Sequence, residues 1–370
     1  MNIGIDVRLL SRSITGIGRY SLEMCKALYK QPGITLQLYS PGRISADISD
    51  LSNVSKKEKD WNNQLLRQLW AETYLPLWAR QGKIDVFWGP AHRLPRWLPK
   101  KVARVVTIHD LVWKVMPESM QSSTRLLEKC YMPHAVRNAD HIIAASFATA
   151  TSVKNEFSIP EESVSVVHLA SSRKPNETIA NEQSEPFFLF VGTVEPRKNL
   201  IRLLKAYSQL SESVKNQAKL YIAGGKGWGD ENVAAEIELL GIKQHVKMLG
   251  YVDEERLSQL YKNCLFLAMP SLYEGFGLPI VEAMSYGKPI LTSNNSSMPE
   301  LAGDAGLLVD ALDVNSIRCG LEQMIGSDDV RNSFAKNASY NANQFSWDKS
   351  ATQLVNIFEK TISHRRGRFE

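Results

Sequence analysis

The sequence predicts an α/β protein built from two domains, each around a parallel sheet. Short apolar, β-branched segments alternate with longer segments of helical periodicity, which is the pattern of strand-helix-strand units. This alternation stops at one polar segment and then restarts. The chain also has 370 residues, too many for one ordinary core and enough for two domains of roughly 150 to 200 residues each.

The first domain is expected over residues 1–170. A strand is predicted in NIGIDVRLL, and a helix follows from about Gly18 to Tyr29. Later strands are predicted in TLQLYS, IDVFWG, RVVTIHDL and HIIAAS. Residues 171–185 are polar, contain Pro175 and have almost no large apolar side chain, so they are predicted to form a linker.

The second domain is expected over residues 186–345. Its strands are predicted in FFLFVGTV, KLYIAGG, HVKMLGYV, CLFLAMP and KPILTS. Its first helix has one apolar face, formed by Leu200, Leu203, Leu204, Tyr207 and Leu210. Residues 346–370 follow the completed second sheet and are predicted to form a helix with a basic tail that packs on the first domain.

Composition indicates a folded, water-soluble protein with small anionic partners. Hydrophobic residues make up 44% and charged residues 22% of the chain. The net charge of +5 favours phosphates or lipid headgroups as partners and does not require nucleic acid. Asp6 and Arg8 interrupt the apolar start, so no secretory signal is recognised and a cytoplasmic protein is expected. The four cysteines are scattered, which predicts neither a disulfide nor a metal site.

The segment Ser271 to Met284, SLYEGFGLPIVEAM, is predicted to join a strand end, a glycine loop and a helix start. Gly275 and Gly277 allow a tight turn and close approach to a ligand. The amides of Phe276, Gly277 and Leu278 can then point at an anion, supported by the helix dipole. A purely structural turn is the alternative interpretation.

Two carboxylates accompany this loop. Glu274 lies in the loop and Glu282 about one turn into the helix, so both are expected to face one pocket. Alternatively, an exposed glutamate at a helix start only complements the dipole.

The segment GTVEPRKNL places cations at a second strand-to-helix junction. Arg197 can hold a phosphate through two N–H bonds, Lys198 adds a point charge, and Asn199 can cap the following helix. Two cations are unfavourable at a helix start, so a bound anion is expected to supply the missing charge. A solvated basic turn is the alternative.

Two further positions in the first domain are candidates. Gly16 and Gly18, in TGIGRY from Thr15 to Tyr20, open the first helix as an amide cradle or as a plain helix-entry turn. His109 ends the strand RVVTIHDL, where strand carboxyl ends border the ligand crevice of an open α/β sheet. A satisfied structural histidine is the alternative there.

At these segments the chain resembles the retaining glycosyltransferases of family 4. The resemblance rests jointly on EPRKN, IHD, EGFGLPIVEAM and SNNSSMPELAGDAGLLVD, and it covers nearly the whole chain. It implies the GT-B fold, in which two Rossmann-like domains face each other across a cleft and a C-terminal helix crosses back to the first domain.

The resemblance also implies a role for each candidate residue. Arg197 and Lys198 would hold the donor diphosphate, Glu282 would bind the ribose hydroxyls, and His109 would lie by the reacting carbon. Glu274 and the amides of Phe276 to Leu278 would position the transferred sugar. Gly16 and Gly18 would line the phosphate side of the first domain, and the base would lie near Gly250, Tyr251 and Val252.

The implied reaction uses no cofactor and no metal, and its donor is a nucleotide sugar. The sequence has no DxD triplet, so Arg197, Lys198 and helix amides would neutralise the departing diphosphate in place of a divalent ion. The resemblance implies front-face attack, with the departing phosphate taking the proton of the acceptor. A mannosyltransferase using GDP-mannose is expected, and UDP-sugar-dependent transferases remain the alternative.

The acceptor is expected to be a glycan or undecaprenyl-linked glycan of bacterial surface polysaccharide synthesis, such as O-antigen. Six tryptophans interleaved with basic residues either form a peripheral membrane surface or fill the core: Trp61, Trp70, Trp78, Trp88, Trp97 and Trp113. A Rossmann dehydrogenase or epimerase is disfavoured because TGIGRY lacks the third glycine. A catalytically silent scaffold of the same fold is the remaining alternative.

Overall fold

The chain forms two compact units. The computed structural model describes residues 1–12, 14, 16–51, 54–61, 63–173, 185–225, 227 and 230–368, with 64, 65 and 230–232 described by their backbone alone. One unit comprises Met1–Leu169 and Ser346–Glu370, and the other comprises Ala170–Phe345. Thr15 and most of the predicted linker, 174–184, lie outside the described residues, so the linker stays a prediction.

Each unit contains one parallel sheet. Within the described residues, the first sheet has seven strands: β1 (Asn2–Asp6), β2 (Thr35–Ser40), β3 (Ser55–Glu58), β4 (Val86–Gly89), β5 (Ala103–Ile108), β6 (His141–Ala144) and β7 (Val164–Val166). The described second sheet has six: β8 (Phe187–Val191), β9 (Lys219–Ala223), β10 (Val246–Gly250), β11 (Leu267–Met269), β12 (Ile290–Ser293) and β13 (Gly306–Val309). All ten strands predicted from the sequence are confirmed.

The unpredicted strands are the polar or short ones. β3 reads SKKE and lies at a sheet edge, where charged residues discourage pairing with other chains. β7 has three half-buried residues, and β13 has the sequence GLLV at the other sheet's edge. Edge strands carry a weak hydrophobic pattern because only part of their surface is covered.

Helices connect the strands. In chain order they are α1 (Gly16–Tyr29), α2 (Gln64–Glu72), α3 (Tyr74–Gln81), α4 (Val112–Val115), α5 (Ser122–Asn138), α6 (Phe147–Phe157), α7 (Leu200–Ser208), α8 (Glu212–Lys215), α9 (Asp230–Leu239), α10 (Glu254–Asn263), α11 (Leu278–Ser285), α12 (Met298–Ala302), α13 (Val314–Gly326), α14 (Asp328–Ala342) and α15 (Trp347–Gly367). The five side chains predicted as the apolar face of α7 are buried, but the helix ends at Ser208, so Leu210 lies in the turn that follows it.

The C-terminal helix α15 belongs to the first unit, where it contacts α1 and β5. Phe358 is fully buried, with its ring centroid 6.2 Å from that of Trp88. Arg365 Nη1 lies 2.7 Å from Asp140 Oδ1. Apolar burial and this ion pair therefore fasten the end of the chain onto the first sheet.

The tryptophans divide between core and surface. Trp70 and Trp88 are fully buried, so the surface interpretation is wrong for them. Trp97 is 72% exposed, and the other three of the six are half-buried. Among the described helices, none has both the length and the apolar character that spanning a membrane requires.

Candidate functional site

The candidate residues collect where the strand order of each sheet reverses. Among the described strands, the order is β3-β2-β1-β4-β5-β6-β7 in the first unit and β10-β9-β8-β11-β12-β13 in the second. The reversals lie between β1 and β4 and between β8 and β11. Ligands of open parallel sheets bind outside the strand carboxyl ends at such a switch point. Arg197 and Lys198 follow β8, and Glu274 follows β11.

These three residues form one ionic cluster. Arg197 Nη1 lies 2.7 Å from Glu274 Oε2, and Lys198 Nζ lies 2.6 Å from Glu274 Oε1. Ser271 Oγ donates to Glu274 Oε1 at 2.9 Å. The sheet order brings them together, since β8 and β11 are neighbours although 76 residues separate Lys198 from Glu274.

Glu274 is ionised in this cluster. Burial opposes its ionisation, but the charges of Lys198 and Arg197 and the hydrogen bonds from Lys198 and Ser271 outweigh burial and lower its pKa to about 2. Arg197 Nε also donates to Glu195 Oε2 at 2.9 Å. The inference that a bound anion must supply the missing charge is therefore wrong, because two carboxylates of the chain already balance the two cations.

Lys198 nevertheless retains unused hydrogen-bond donors. Its side chain is 9% exposed, and burial lowers its pKa while Glu274 opposes that shift. An ammonium has three N–H donors, and among the described residues only Glu274 accepts one from it. Buried polar groups are normally paired, so the remaining donors favour an acceptor supplied by a ligand.

Asn199 does not cap α7 with its side chain. It occupies the N-cap position in a left-handed conformation, with φ of 61°. Its Nδ2 donates to Pro270 O at 2.9 Å and to Ala311 O at 2.7 Å. The capping prediction is wrong because the amide instead joins the turn after β8 to the end of β11, which fixes the position of the neighbouring cations.

The glycine loop has the predicted geometry at the start of α11. Gly277 is the N-cap with φ of 112°, a conformation that favours glycine, and Gly275 and Phe276 are buried. Ser297 Oγ donates to Phe276 O at 2.5 Å and fixes the loop. No described residue accepts from the amides of Gly277 and Leu278, so they can receive an anion.

Glu282, on α11, is held by a second set of partners. It is buried, its Oε2 accepts from the Tyr261 hydroxyl at 2.8 Å, and its Oε1 pairs closely with Arg173 Nη1. Arg173 Nη2 also lies 2.5 Å from Glu254 Oε2. Sequence reasoning missed Arg173, which stands in the segment predicted as linker, because no local signal indicates a partner 109 residues away.

The described residues contain no group of three or more His, Cys, Asp or Glu side chains positioned to hold a metal ion. Among the described residues of the second unit, two carboxylates are buried, Glu274 and Glu282, and both have cationic partners instead. Both carboxylates form salt bridges with cations of the chain.

The segment expected to meet the base lies at the end of β10. Gly250 has φ of 65°, and its carbonyl accepts from Gly224 N at 2.8 Å. Tyr251 is 82% exposed and Val252 is half-buried. The three residues lie at the same carboxyl edge of the sheet as Arg197, and their contact with a base stays a prediction.

His109 directly follows β5 in the first unit, as predicted. Its Nε2 lies 2.8 Å from Pro90 O, and the Tyr20 ring lies edge-on with centroids 4.7 Å apart. Because a carbonyl only accepts, Nε2 carries the proton and Nδ1 is free to accept. Burial, with a smaller contribution from His92, lowers the pKa of His109 to about 3, so the ring is neutral at neutral pH.

His92 positions His109 and was missed from the sequence. Its Nε2 accepts from His109 N at 2.9 Å, while its Nδ1 lies 3.2 Å from Glu128 Oε2. It has a left-handed backbone with φ of 61°. Its place three residues after β4, at the carboxyl end of a switch-point strand, is the signal that could have identified it.

Gly16 and Gly18 form the first turn of α1, as expected for a helix entry. A Cβ added at Gly16 would meet no atom within 4 Å, and one at Gly18 would come 3.5 Å from Ile14. Steric contact with neighbouring atoms therefore does not require glycine at either position. That Gly16 and Gly18 contact a ligand stays a prediction.

Comparisons with known proteins identify glycosyltransferase relatives over most of the chain. The model of the family described as Glycosyltransferase Family 4 matches residues 14–170, and that of Glycosyl transferases group 1 matches residues 173–340. O-antigen chain mannosyltransferase B of Escherichia coli is 33% identical over 94% of this chain and 96% of its own. The O-antigen chain mannosyltransferase RfbU of Salmonella typhimurium is 25% identical over 86% of this chain and 90% of its own.

A solved structure of similar fold is that of Alr3699/HepE from Anabaena, in complex with UDP and glucose. It superposes with a TM-score of 0.74 at 20% identity and covers 97% of this chain and all of the HepE chain. The predicted GT-B fold class is confirmed.

Proposed function

The chain belongs to glycosyltransferase family 4, and from this premise we propose that it is a retaining mannosyltransferase using GDP-mannose. The acceptor in this proposal is a glycan or undecaprenyl-linked glycan of O-antigen or related surface polysaccharide synthesis. The support is the similarity, over most of both chains, to two O-antigen chain mannosyltransferases.

The observation that carries the chemistry is the buried cluster of Arg197, Lys198 and Glu274 at the switch point of the second sheet. Breaking the bond between sugar and diphosphate develops negative charge on the leaving oxygen. Glu274 holds both cations in place before the donor arrives, so little reorganisation is needed when that charge appears. The unused N–H groups of Lys198 and the amides at the start of α11 supply the hydrogen bonds, and no metal or other cofactor is required.

The remaining candidates take supporting roles in this proposal. Glu282 accepts hydrogen bonds from the ribose hydroxyls, and the segment from Gly250 to Val252 lies against the base. His109 is neutral, so it offers Nδ1 as an acceptor beside the transferred sugar and does not act as a general acid. The acceptor hydroxyl forms the new bond to the anomeric carbon on the face from which the diphosphate departs, which preserves the anomeric configuration, and the departing phosphate takes the hydroxyl proton.

The donor is identified by incubating the protein with a panel of GDP- and UDP-sugars in EDTA. We expect GDP-mannose to raise the unfolding temperature most, to release GDP without added metal, and to give an α-linked product in proton NMR. Stabilisation and turnover with a UDP-sugar alone would replace the donor in this proposal. Strict dependence on magnesium or manganese would overturn the metal-free mechanism, and binding without turnover would favour a silent scaffold.

We also propose a peripheral contact with the inner face of the cytoplasmic membrane. It is supported by four exposed apolar side chains on the first unit, since Leu66, Leu69, Leu77 and Trp97 are 43%, 52%, 48% and 72% exposed. Replacing Leu69 and Trp97 by serine should reduce binding to anionic vesicles, whereas Leu239→Ser, at an exposed site of the second unit, should not. Unchanged binding after the first two substitutions would contradict a contact through these side chains.

A further inference from the structure

A cavity of about 180 Å³ lies at the switch point of the first sheet. Its walls come from the segments that follow β1 and β4 and from the helices α1, α2 and α5. This is the counterpart, in the first unit, of the position that the Arg197–Lys198–Glu274 cluster occupies in the second. The first cavity has no role in the donor chemistry described above.

The cavity is strongly cationic. Four guanidinium groups line it: Arg8, Arg12, Arg67 and Arg93. Two carboxylates offset them in part. Arg8 Nη2 lies 2.5 Å from Asp6 Oδ2, and Arg93 Nη2 lies 3.8 Å from Glu128 Oε1. Against the effect of burial, Glu128 raises the pKa of His92, so His92 does not offset the arginines and at least two positive charges remain in excess.

The arginines repel one another at close range. Arg67 is 6% exposed and donates through Nη2 to Arg8 O at 2.8 Å and to Ser11 Oγ at 2.7 Å. Burial, together with the charges of Arg12 and Arg8, lowers the pKa of Arg67 to about 10. A buried cation under this repulsion gains stability when an anion enters the cavity.

Donors remain available for such an anion. Arg12 is exposed and has neither a hydrogen bond nor an ion pair with any described residue. Among the described residues, the Arg8 guanidinium donates only to Asp6, through Nε and Nη2, and it lies over the Trp70 ring with 5.5 Å from Cζ to the centroid. Arg93 donates through Nη1 to Gln68 Oε1 at 2.9 Å and lies over the Tyr131 ring, with 4.7 Å from Cζ to the centroid. The Arg12 guanidinium, Arg8 Nη1 and Arg93 Nη2 are therefore left to donate to phosphoryl oxygens.

The cavity is also adjacent to the candidate reaction centre of the first unit. His92 lines it and accepts from the amide of His109, and Ile17 of α1 contributes another part of the wall. A ligand held here by its phosphoryl group therefore extends toward His109, one side chain away.

We propose that this cavity binds a phosphoryl group of the acceptor substrate, as carried by a sugar phosphate or a lipid diphosphate. The proposal rests on the proposed transferase function, in which the second unit binds the donor. An acceptor anchored by its phosphoryl group then presents a hydroxyl beside His109. Arg12 and Arg93 bind the phosphoryl oxygens, while Arg67 and Asp6 hold Arg8 and its segment in place.

The test is calorimetric titration of the full-length protein with α-mannose 1-phosphate, pyrophosphate and geranyl diphosphate, with GDP present at saturation to fill the donor site. Mannose is the neutral reference. Arg12→Ala and Arg93→Gln remove donors from the cavity, and Arg80→Ala is the matched control, an exposed arginine of the same unit outside it. Thermal melts verify that each variant is folded.

We expect the phosphorylated probes to bind and mannose not to bind. Affinity should fall about tenfold or more in Arg12→Ala and in Arg93→Gln and stay unchanged in Arg80→Ala. Tighter binding of geranyl diphosphate than of α-mannose 1-phosphate would identify a lipid-linked acceptor, and the reverse a soluble sugar phosphate. Equal affinity in wild type and both cavity variants, or no binding of any probe, would overturn the proposal. GDP binding is measured separately, so its absence contradicts the donor assignment alone.

Discussion

The side chain of Lys198 is buried, paired with one carboxylate and left with donors that no described residue uses. Because those donors are aimed where diphosphate charge develops in our proposal, Lys198→Ala should lower turnover by at least about 100-fold, the scale of one lost transition-state donor. The measurement is initial rate at saturating donor.

Lys205→Ala is the control for this prediction. Lys205 lies on the following helix α7, is 47% exposed and pairs with Glu236 at 3.5 Å, so its loss should leave turnover unchanged. Near wild-type transfer by Lys198→Ala would remove the lysine from the mechanism.

Glu282 and Glu254 share the partner Arg173 and differ in burial, which makes them a matched pair. Glu282 is buried on α11, whereas the side chain of Glu254 is 56% exposed. If Glu282 binds ribose, Glu282→Gln should weaken GDP affinity about tenfold or more, and Glu254→Gln should not change it. Isothermal titration with GDP measures the affinity of each variant. Equal loss of GDP affinity in the two variants would assign Glu282 a structural role only.

His109 makes the stability of the first unit depend on pH. Its pKa of about 3 in the folded chain lies below the ordinary value of 6.5, so the unfolded chain binds more protons between these values. Its contribution is therefore complete above pH 6.5 and is lost as the pH falls toward 3.

Replacing His109 by glutamine should reduce the stability lost between pH 7 and pH 5 by about 2 kcal/mol. Urea denaturation at the two pH values measures this difference. An identical loss in wild type and variant would mean that His109 takes up a proton in the folded state.

At the scale of elements, the start of α11 depends on one backbone conformation. Gly277 has φ of 112°, and an added Cβ would lie 3.2 Å from Leu301 Cδ1. Gly277→Ala should therefore destabilise the second unit by about 1–3 kcal/mol and weaken GDP binding, because the loop amides would move. Thermal unfolding and GDP titration measure the two effects.

Gly326 offers the control for that substitution. It ends α13 without a positive φ, and an added Cβ there meets nothing within 4 Å. Gly326→Ala should be neutral or slightly stabilising. Unaltered GDP binding in folded Gly277→Ala would show that the amides at the start of α11 do not contact the donor.

At the scale of the whole molecule, the division into two units allows core stability and the proposed donor binding to be tested separately. Phe358 on α15 is fully buried in the first unit, whereas Arg197, Lys198, Glu274 and Glu282 all belong to the second. Phe358→Ala should cost the first unit about 3–5 kcal/mol and leave GDP affinity unchanged. Glu359→Ala, at the next and exposed position of the same helix, is the control.

Calorimetry and GDP titration test this separation. We expect a lower unfolding temperature for the first unit and a wild-type dissociation constant for GDP. A proportional loss of GDP binding would mean that the first unit contributes to the donor site.

Local patterns account for most of the fold prediction. Alternating apolar and periodic segments located ten strands and the apolar face of α7, because burial on both sides of a parallel sheet selects continuous apolar runs. The glycine loop before α11 and the cations after β8 could also be predicted from the sequence, because a strand-to-helix junction requires particular residues close together along the chain. The polar edge strand β3 could not be predicted from an apolar pattern, because most of its residues are exposed and polar.

What the sequence determined by itself is the class of fold, the two-domain organisation and the junctions that carry the candidate residues. Only the tertiary structure decided how these residues pair: Glu274 with Arg197 and Lys198, Glu282 with Arg173, and His92 with His109. The physical reason is the distance along the chain over which each kind of interaction acts. Periodicity and turn chemistry act between neighbours along the chain, whereas these ion pairs and hydrogen bonds depend on strand order and on which helix returns beside which strand.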